Sequence, residues 1–188
     1  MTGQPGAISS RRVYNGRVIS LDVDTVRFPN GTVGELEMIR HPGASAVVPF
    51  LDDPTAADPR IVLIRQYRYA AGDFVFEIPA GRLDKDEAPD ACAHRELREE
   101  TGYSAERMVR MTTFYTTPGF TDESIHLFAA SGLTAGSSSL EPDEILDLQV
   151  VSLSEAISMV AKGEIKDGKT MIGLLFAAAL IRPGMISG

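Results

Sequence analysis

Apolar and polar residues alternate along much of this chain, and the period of the alternation changes with position. Between 17 and 28, Ile19, Leu21 and Val23 interleave with Ser20, Asp22 and Asp24, the period of two expected of a strand with one covered face. Pro29-Asn30-Gly31 is turn chemistry, and 34–40 reads as the returning arm of a hairpin. About ten flexible residues are expected ahead of it. A lone hairpin is marginally stable, so 11–40 should pack on the rest of the chain or on a second copy. Pro42-Gly43 marks a boundary, which divides the chain into a hairpin region, 1–42, and a main domain, 43–188.

Short apolar runs at 44–50, 61–69 and 74–78 predict strands, and the unbroken Val62-Leu63-Ile64 suits one covered on both faces. A polar loop spans 52–59. Residues 89–101 predict a helix, with Pro89 in its first turn and Gly102 just past its end. Further strands are expected at 108–115, 125–129 and 145–151. Between the last two, 131–143 contains Ser137 to Ser139 in a row and predicts a long mobile loop. Ser152 and Glu155 make a capping box for a helix over 156–162, stopped at Gly163. A turn at Asp167-Gly168 precedes a last helix, which Pro183-Gly184 ends. Helices mixed among strands in this order, with no internal repeat or linker, predict layered α/β or α+β packing.

Composition narrows the classes. The chain has 188 residues and 44% of them are apolar, enough for one core without staples. A single cysteine, Cys92, rules out an internal disulfide and favours a cytoplasmic setting. The N-terminus lacks the pattern of a signal peptide, and the longest apolar run, 171–181, is too short to span a bilayer. With 26 acidic against 18 basic residues and a net charge of −8, no nucleic-acid partner is expected. An anionic substrate would also be repelled unless its site carried positive charge of its own.

Residues 81–103, GRLDKDEAPDACAHRELREETGY, hold the chemistry. At about 100° per residue, Glu96, Glu99 and Glu100 crowd into one third of the helix circumference. Like charges so placed repel, more so near the negative end of the helix dipole. Two readings are open on this geometry: a solvated acidic face, or a site for a hard divalent cation such as Mg²⁺, which prefers carboxylate and phosphate oxygens. Arg95, one turn before Glu99, is placed to orient it. Cys92 reads as a small buried residue, and His41, His94 and His126 lack the spacing of a zinc site.

Gly81, five residues, Glu87, seven residues, then Arg95-Glu96-Leu97-Arg98-Glu99-Glu100-Thr101-Gly102-Tyr103 resembles the Nudix box at every defining position. The resemblance to Nudix hydrolases implies an α/β/α sandwich with a mixed sheet, preceded by an N-terminal antiparallel hairpin. It implies Mg²⁺, with Mn²⁺ possible, bound by Glu96, Glu99, Glu100 and the carbonyl of Ala80. Arg95 would act with them, Glu87 would brace the loop and Gly81 would permit its tight turn. The implied reaction cleaves a nucleoside diphosphate linked to another group.

Three features outside the box are similar to the ADP-ribose pyrophosphatase subgroup. Pro118 lies 16 residues after Gly102, within Thr116-Thr117-Pro118-Gly119-Phe120-Thr121-Asp122-Glu123; the resemblance puts Pro118, Gly119 and Glu123 at the substrate, whereas turn chemistry alone would explain Pro-Gly. Ile64-Arg65-Gln66-Tyr67-Arg68 and Phe76-Glu77-Ile78-Pro79 would supply a diphosphate clamp, Arg68, beside Glu77, since a planar guanidinium binds phosphate in two places. A surface salt bridge between Arg68 and Glu77 is the plainer alternative. The hairpin ending at His41-Pro42 resembles a sheet exchanged between two subunits, which implies a homodimer. A general base is implied in the loop before the last strand, Glu144 first and Glu141 second. The expected activity is hydrolysis of ADP-ribose to AMP and ribose 5-phosphate; the alternatives are another sugar nucleotide, of the GDP-mannose or ADP-glucose type, or a sensor without catalysis.

Overall fold

The computed structural model describes residues 4–140 and 145–180. The chain divides into two compact units, Met1–Gly43 with Phe114–Ser124, and Ala44–Thr113 with Ile125–Gly188.

The first unit is a three-stranded antiparallel sheet, β1 (Gly6–Asn15), β2 (Ser20–Arg27) and β3 (Val33–Arg40), in that order. The first ten residues therefore depart from expectation: from Gly6 they pair with β2, from Gly6↔Arg27 to Asn15↔Ser20, with two bulges. Every residue of β1 is exposed, so it has no apolar rhythm, and backbone pairing alone makes it a strand. On β2, Asp22 and Asp24 are buried. A buried carboxylate is costly unless paired; Arg12 of β1 pairs with Asp22, and Arg40 of β3 bridges Asp22 and Asp24. Residues 117–122 dock on the edge of β3, where Ile39 N–H donates to Phe120 O at 2.8 Å and His41 N–H to Asp122 at 2.9 Å.

The second unit has two sheets. One is mixed, in the order β7-β4-β9-β8, from β4 (Ala44–Pro49), β7 (Ala80–Arg82), β8 (Tyr103–Tyr115) and β9 (Ser124–Ala135). The other is antiparallel, in the order β10-β5-β6, from β5 (Arg60–Arg68), β6 (Asp73–Glu77) and β10 (Leu146–Ser152). Val62, Leu63 and Ile64 are all fully buried, as an unbroken apolar run requires. The helices are α1 (Pro89–Thr101), α2 (Leu153–Ala161) and α3 (Gly168–Leu180).

Strands β4 and β9 are parallel, with Val47 beside Phe128 and Ala46 beside Leu127. Since successive residues face opposite ways, Val47 and Phe128 meet Ala93 and Leu97 of α1. Val48 and Leu127 face the other way, against Gly173 of α3, where an added Cβ would lie 3.1–3.3 Å from them. Helices thus cover both faces of the mixed sheet, the sandwich that the sequence implied. Among the described residues no helix is long and apolar enough to cross a membrane.

Two further elements differ from expectation. Strand β9 continues to Ala135 instead of stopping near 129. The residues after it are fastened to α1: Gly136 N–H donates to Gly102 O at 2.8 Å and Ser139 N–H to Glu99 O at 2.9 Å. Of the long mobile loop expected over 131–143, the first part is strand and the next is tethered, while 141–144 lie outside the described residues, as does the expected helix stop at 183–184. Helix α1 has its expected bounds, and Gly102 ends it at φ 75° with its N–H bonded to Arg98 O at 2.8 Å.

Candidate active site

Helix α1 begins with Pro89, whose missing N–H would be unbonded in a first turn anyway. Ala93 and Leu97 anchor one face to the sheet, which leaves Arg95, Glu96, Glu99 and Glu100 along the side nearest β7. The Arg95 guanidinium organises this side. Its Nε and Nη2 donate to the two oxygens of Glu87, both at 2.9 Å. Nη2 also reaches Arg82 O at 3.0 Å, and Nη1 donates to Glu96 at 2.5 Å and to Glu99 at 3.1 Å. Arg95 pulls the Glu87 carboxyl down to about 2, and Glu87, then burial and Glu96, set the balance that raises Arg95 above its ordinary value. Glu87 accepts in addition from Asp84 N–H at 2.9 Å, closing the 84–87 loop onto the helix.

Glu96 and Glu100 are buried and Glu99 is half-buried. Glu100 accepts from Ala80 N–H at 2.9 Å. The Glu96 carboxylate lies directly over Gly81, so that a Cβ at position 81 would overlap it. Gly81 is not among the residues with positive φ. Its expected role as the residue that permits a tight turn is therefore corrected: it lies in β7, and what it provides is the space in which Glu96 sits.

The donors are hard oxygens, three carboxylates and nearby backbone carbonyls, as a divalent cation of the Mg²⁺ type requires. Among the described residues no three His, Cys, Asp or Glu side chains converge into a ready cage. Mg²⁺ is ordinarily held by one or two carboxylates with waters and substrate phosphates, so two adjacent buried carboxylates fit it. Cys92 is fully buried, and burial with Glu87 nearby pushes its thiol up to about 12; it has no thiolate to offer as a nucleophile.

A second polar cluster lies where β5 and β6 meet the start of α3. Glu77 is 2% exposed and accepts from Arg68 Nε at 2.7 Å and Nη2 at 2.8 Å, and from Lys169. Burial alone would raise the Glu77 carboxyl, yet Arg68 and Lys169 outweigh it and leave it below its usual range. The plain salt bridge expected between Arg68 and Glu77 exists, with its carboxylate buried. Lys169 also reaches Asp167 at 3.1 Å. Asp167 caps α3 through Thr170 N–H at 2.9 Å, and Thr170 Oγ1 accepts from Ile78 N–H at 2.8 Å. Arg65 faces away and stacks on Phe74, 4.6 Å from the ring centre.

Residues 40–172 match the family described as NUDIX domain. This chain belongs to the NUDIX family. It is 41% identical to the methanol dehydrogenase activator of Bacillus methanolicus over 171 residues, 90% of each chain. It is 37% identical to the ADP-ribose pyrophosphatase of Bacillus subtilis (strain 168), again over 171 residues and 90% of each chain. The GDP-mannose pyrophosphatase of Yersinia enterocolitica is 34% identical over 159 residues, 79% of this chain and 81% of that one. A solved structure titled "Crystal structure of ADP compounds hydrolase" superposes with a TM-score of 0.79 at 19% identity, covering 95% of both chains, a likeness of fold.

Of the other expected site residues of this NUDIX chain, Pro118, Gly119 and Glu123 belong to the first unit. Pro118-Gly119 forms the tip of a turn closed by Phe120 N–H to Thr117 O at 3.2 Å, and Glu123 accepts from Thr116 Oγ1 at 2.8 Å. Glu141 and Glu144 lie outside the described residues. Lys169 is not among the residues that the sequence singles out; its one local signal is that a lysine at the start of a helix opposes the helix dipole, a charge that the buried acid Glu77 offsets here.

Proposed function

We propose that this NUDIX protein hydrolyses the diphosphate bond of ADP-ribose to AMP and ribose 5-phosphate, with Mg²⁺ as its cation and Mn²⁺ as a substitute. The observation that carries the reading is the Arg95 cluster, in which one guanidinium orients Glu87, Glu96 and Glu99. Glu96, Glu99, Glu100 and the carbonyl of Ala80 would hold the cation, which when bound neutralises a diphosphate and lowers the pKa of an attacking water. The protein's own part is positioning: Arg95 sets the carboxylates, Arg68 clamps phosphate, and Glu144, with Glu141 as second choice, takes the proton from water. Pro118, Gly119 and Glu123 would shape the substrate pocket.

The ADP-ribose pyrophosphatase of B. subtilis, alike over 90% of both chains, supports ADP-ribose as substrate. The likeness to GDP-mannose pyrophosphatase favours a second reading, another nucleoside diphosphate sugar. A panel of ADP-ribose, GDP-mannose, ADP-glucose and nucleoside triphosphates, with and without Mg²⁺, read by chromatography of the nucleoside monophosphate formed, separates them. Turnover of none would sink the enzymatic reading and favour the sensor. Glu144→Gln should cut turnover by orders of magnitude and leave substrate affinity nearly intact; unchanged turnover moves the base to Glu141.

The reading also takes 1–42 as a dimerising region and 43–188 as the catalytic domain of a cytoplasmic homodimer. Exposed Ile8, Val13, Tyr14 and Val18 on and beside β1 support a self-associating sheet. Light scattering on the purified chain tests it, and a monomer at all concentrations would refute it.

A further inference from the structure

The proposed mechanism uses Arg68 but leaves unexplained the cavity beside it. This cavity has a volume of about 430 Å³ and is bounded by Arg68, Val75, Glu77, Lys166, Asp167 and Lys169. Three cations and two carboxylates surround it, one positive charge in excess. The carboxylates are already engaged: Glu77 by Arg68 and Lys169, Asp167 by Lys169 and by the start of α3.

The cations are not saturated. Arg68 gives Nε and one N–H of Nη2 to Glu77, so its Nη1 keeps two donors. The Lys169 ammonium, with three N–H groups, spends two on Glu77 and Asp167. Lys166 is exposed and forms no hydrogen bond or ion pair with a described residue. Buried Glu77 thus fixes Arg68 and Lys169 side by side on one carboxylate. Two cations so close repel each other, and an anion entering between them relieves that repulsion. The sugar-side phosphoryl group of a nucleoside diphosphate sugar, with two non-bridging oxygens and about one negative charge, matches the unspent donors, and so does the sugar phosphate monoester it becomes on hydrolysis, with three oxygens and close to two charges at neutral pH. Glu77 stands three residues before Ala80, whose N–H holds Glu100, a span of about 10 Å of extended chain. The cavity is therefore within one sugar phosphate of the carboxylates on α1.

We infer that this cavity binds the phosphorylated sugar half of the substrate, with Lys166 and Lys169 joining Arg68 as its phosphate-recognising groups. The inference rests on the proposed reaction for its substrate class, and binding tests it apart from turnover.

Isothermal titration of ribose 5-phosphate, with ribose as the uncharged control, would compare the wild-type protein with Lys166→Met, Lys169→Met and Lys169→Arg. Ribose 5-phosphate should bind and ribose should not. Each methionine variant should weaken binding about tenfold, the loss of one charge-assisted hydrogen bond, and Lys169→Arg should restore most of it. With ADP-ribose, KM should rise by about the same factor while kcat stays within about threefold. If Lys169→Met fails to fold, Lys166→Met, an exposed change, carries the test alone. Unchanged affinity and KM in Lys166→Met and Lys169→Met would overturn the inference while leaving ADP-ribose hydrolysis standing. Loss of ribose 5-phosphate binding in those variants, in a protein that turns over no ADP-ribose, would uphold the cavity and overturn the proposed reaction.

Discussion

At the scale of single residues, two neighbours of the acidic face make distinct predictions. Glu87 has its carboxyl lowered from 4.5 to about 2 by Arg95. A group with a depressed folded pKa contributes its stability in full above the unfolded value and loses it as pH falls through the folded one. The Glu87–Arg95 pair should therefore stabilise fully above about pH 5 and fade between there and pH 2. Acid unfolding followed by circular dichroism should show a shallower loss over that window in Glu87→Gln than in the wild type; identical slopes would refute the assignment. Gly81 predicts a different pattern. Its missing Cβ makes room for the Glu96 carboxylate, the movable end of a flexible side chain, so Gly81→Ala should displace that carboxylate with little cost to the fold. Turnover should drop by about 10- to 100-fold, the usual cost of disturbing a ligand's support, with the melting temperature nearly unchanged. A large fall in melting temperature would instead place the strain in the backbone. The acid spacing of 81–103 made this cluster legible in the sequence, but the reason for glycine at 81 was not, because it depends on a side chain fifteen positions away.

At the scale of elements, legibility followed burial rhythm. Helix α1 could be read to the residue because Pro89, the Ala93 and Leu97 face and Gly102 each mark it locally. Strand β1 could not, because all ten of its residues are exposed and only its pairing with β2 defines it. Strand β9 was cut short for a related reason: beyond Ala130 its residues are mostly exposed and include Gly132 at φ 65°, which reads as loop. Gly102 tests the helix end. It holds φ 75°, and an added Cβ would come within 3.0 Å of Gly136 O and Ser138 N. Gly102→Ala should therefore cost about 1–2 kcal/mol, a fall of about 2–8 °C in melting temperature for a chain of this size. Differential scanning fluorimetry would detect it, and an unchanged midpoint would mean that 136–138 give way freely.

At the scale of the whole molecule, the net charge of −8 is unevenly distributed. Buried carboxylates in both units each have a cation or an N–H beside them: Asp22 and Asp24 with Arg40, Glu77 with Arg68 and Lys169, Glu96 with Arg95, Glu100 with Ala80. The negative excess lies on the surface, while the buried carboxylates are held by fixed positive groups. The total can be counted from the residues, whereas their pairing exists only in the fold. The bonds from Gly136 and Ser139 to the end of α1 also set a timescale. Helix ends ordinarily open within microseconds and exchange their amide hydrogens early, but here the carbonyls of Arg98, Glu99 and Gly102 are all occupied. In a hydrogen–deuterium exchange map of the molecule, the last turn of α1 should exchange as slowly as its middle, so that the carboxylates keep one arrangement between successive encounters with substrate.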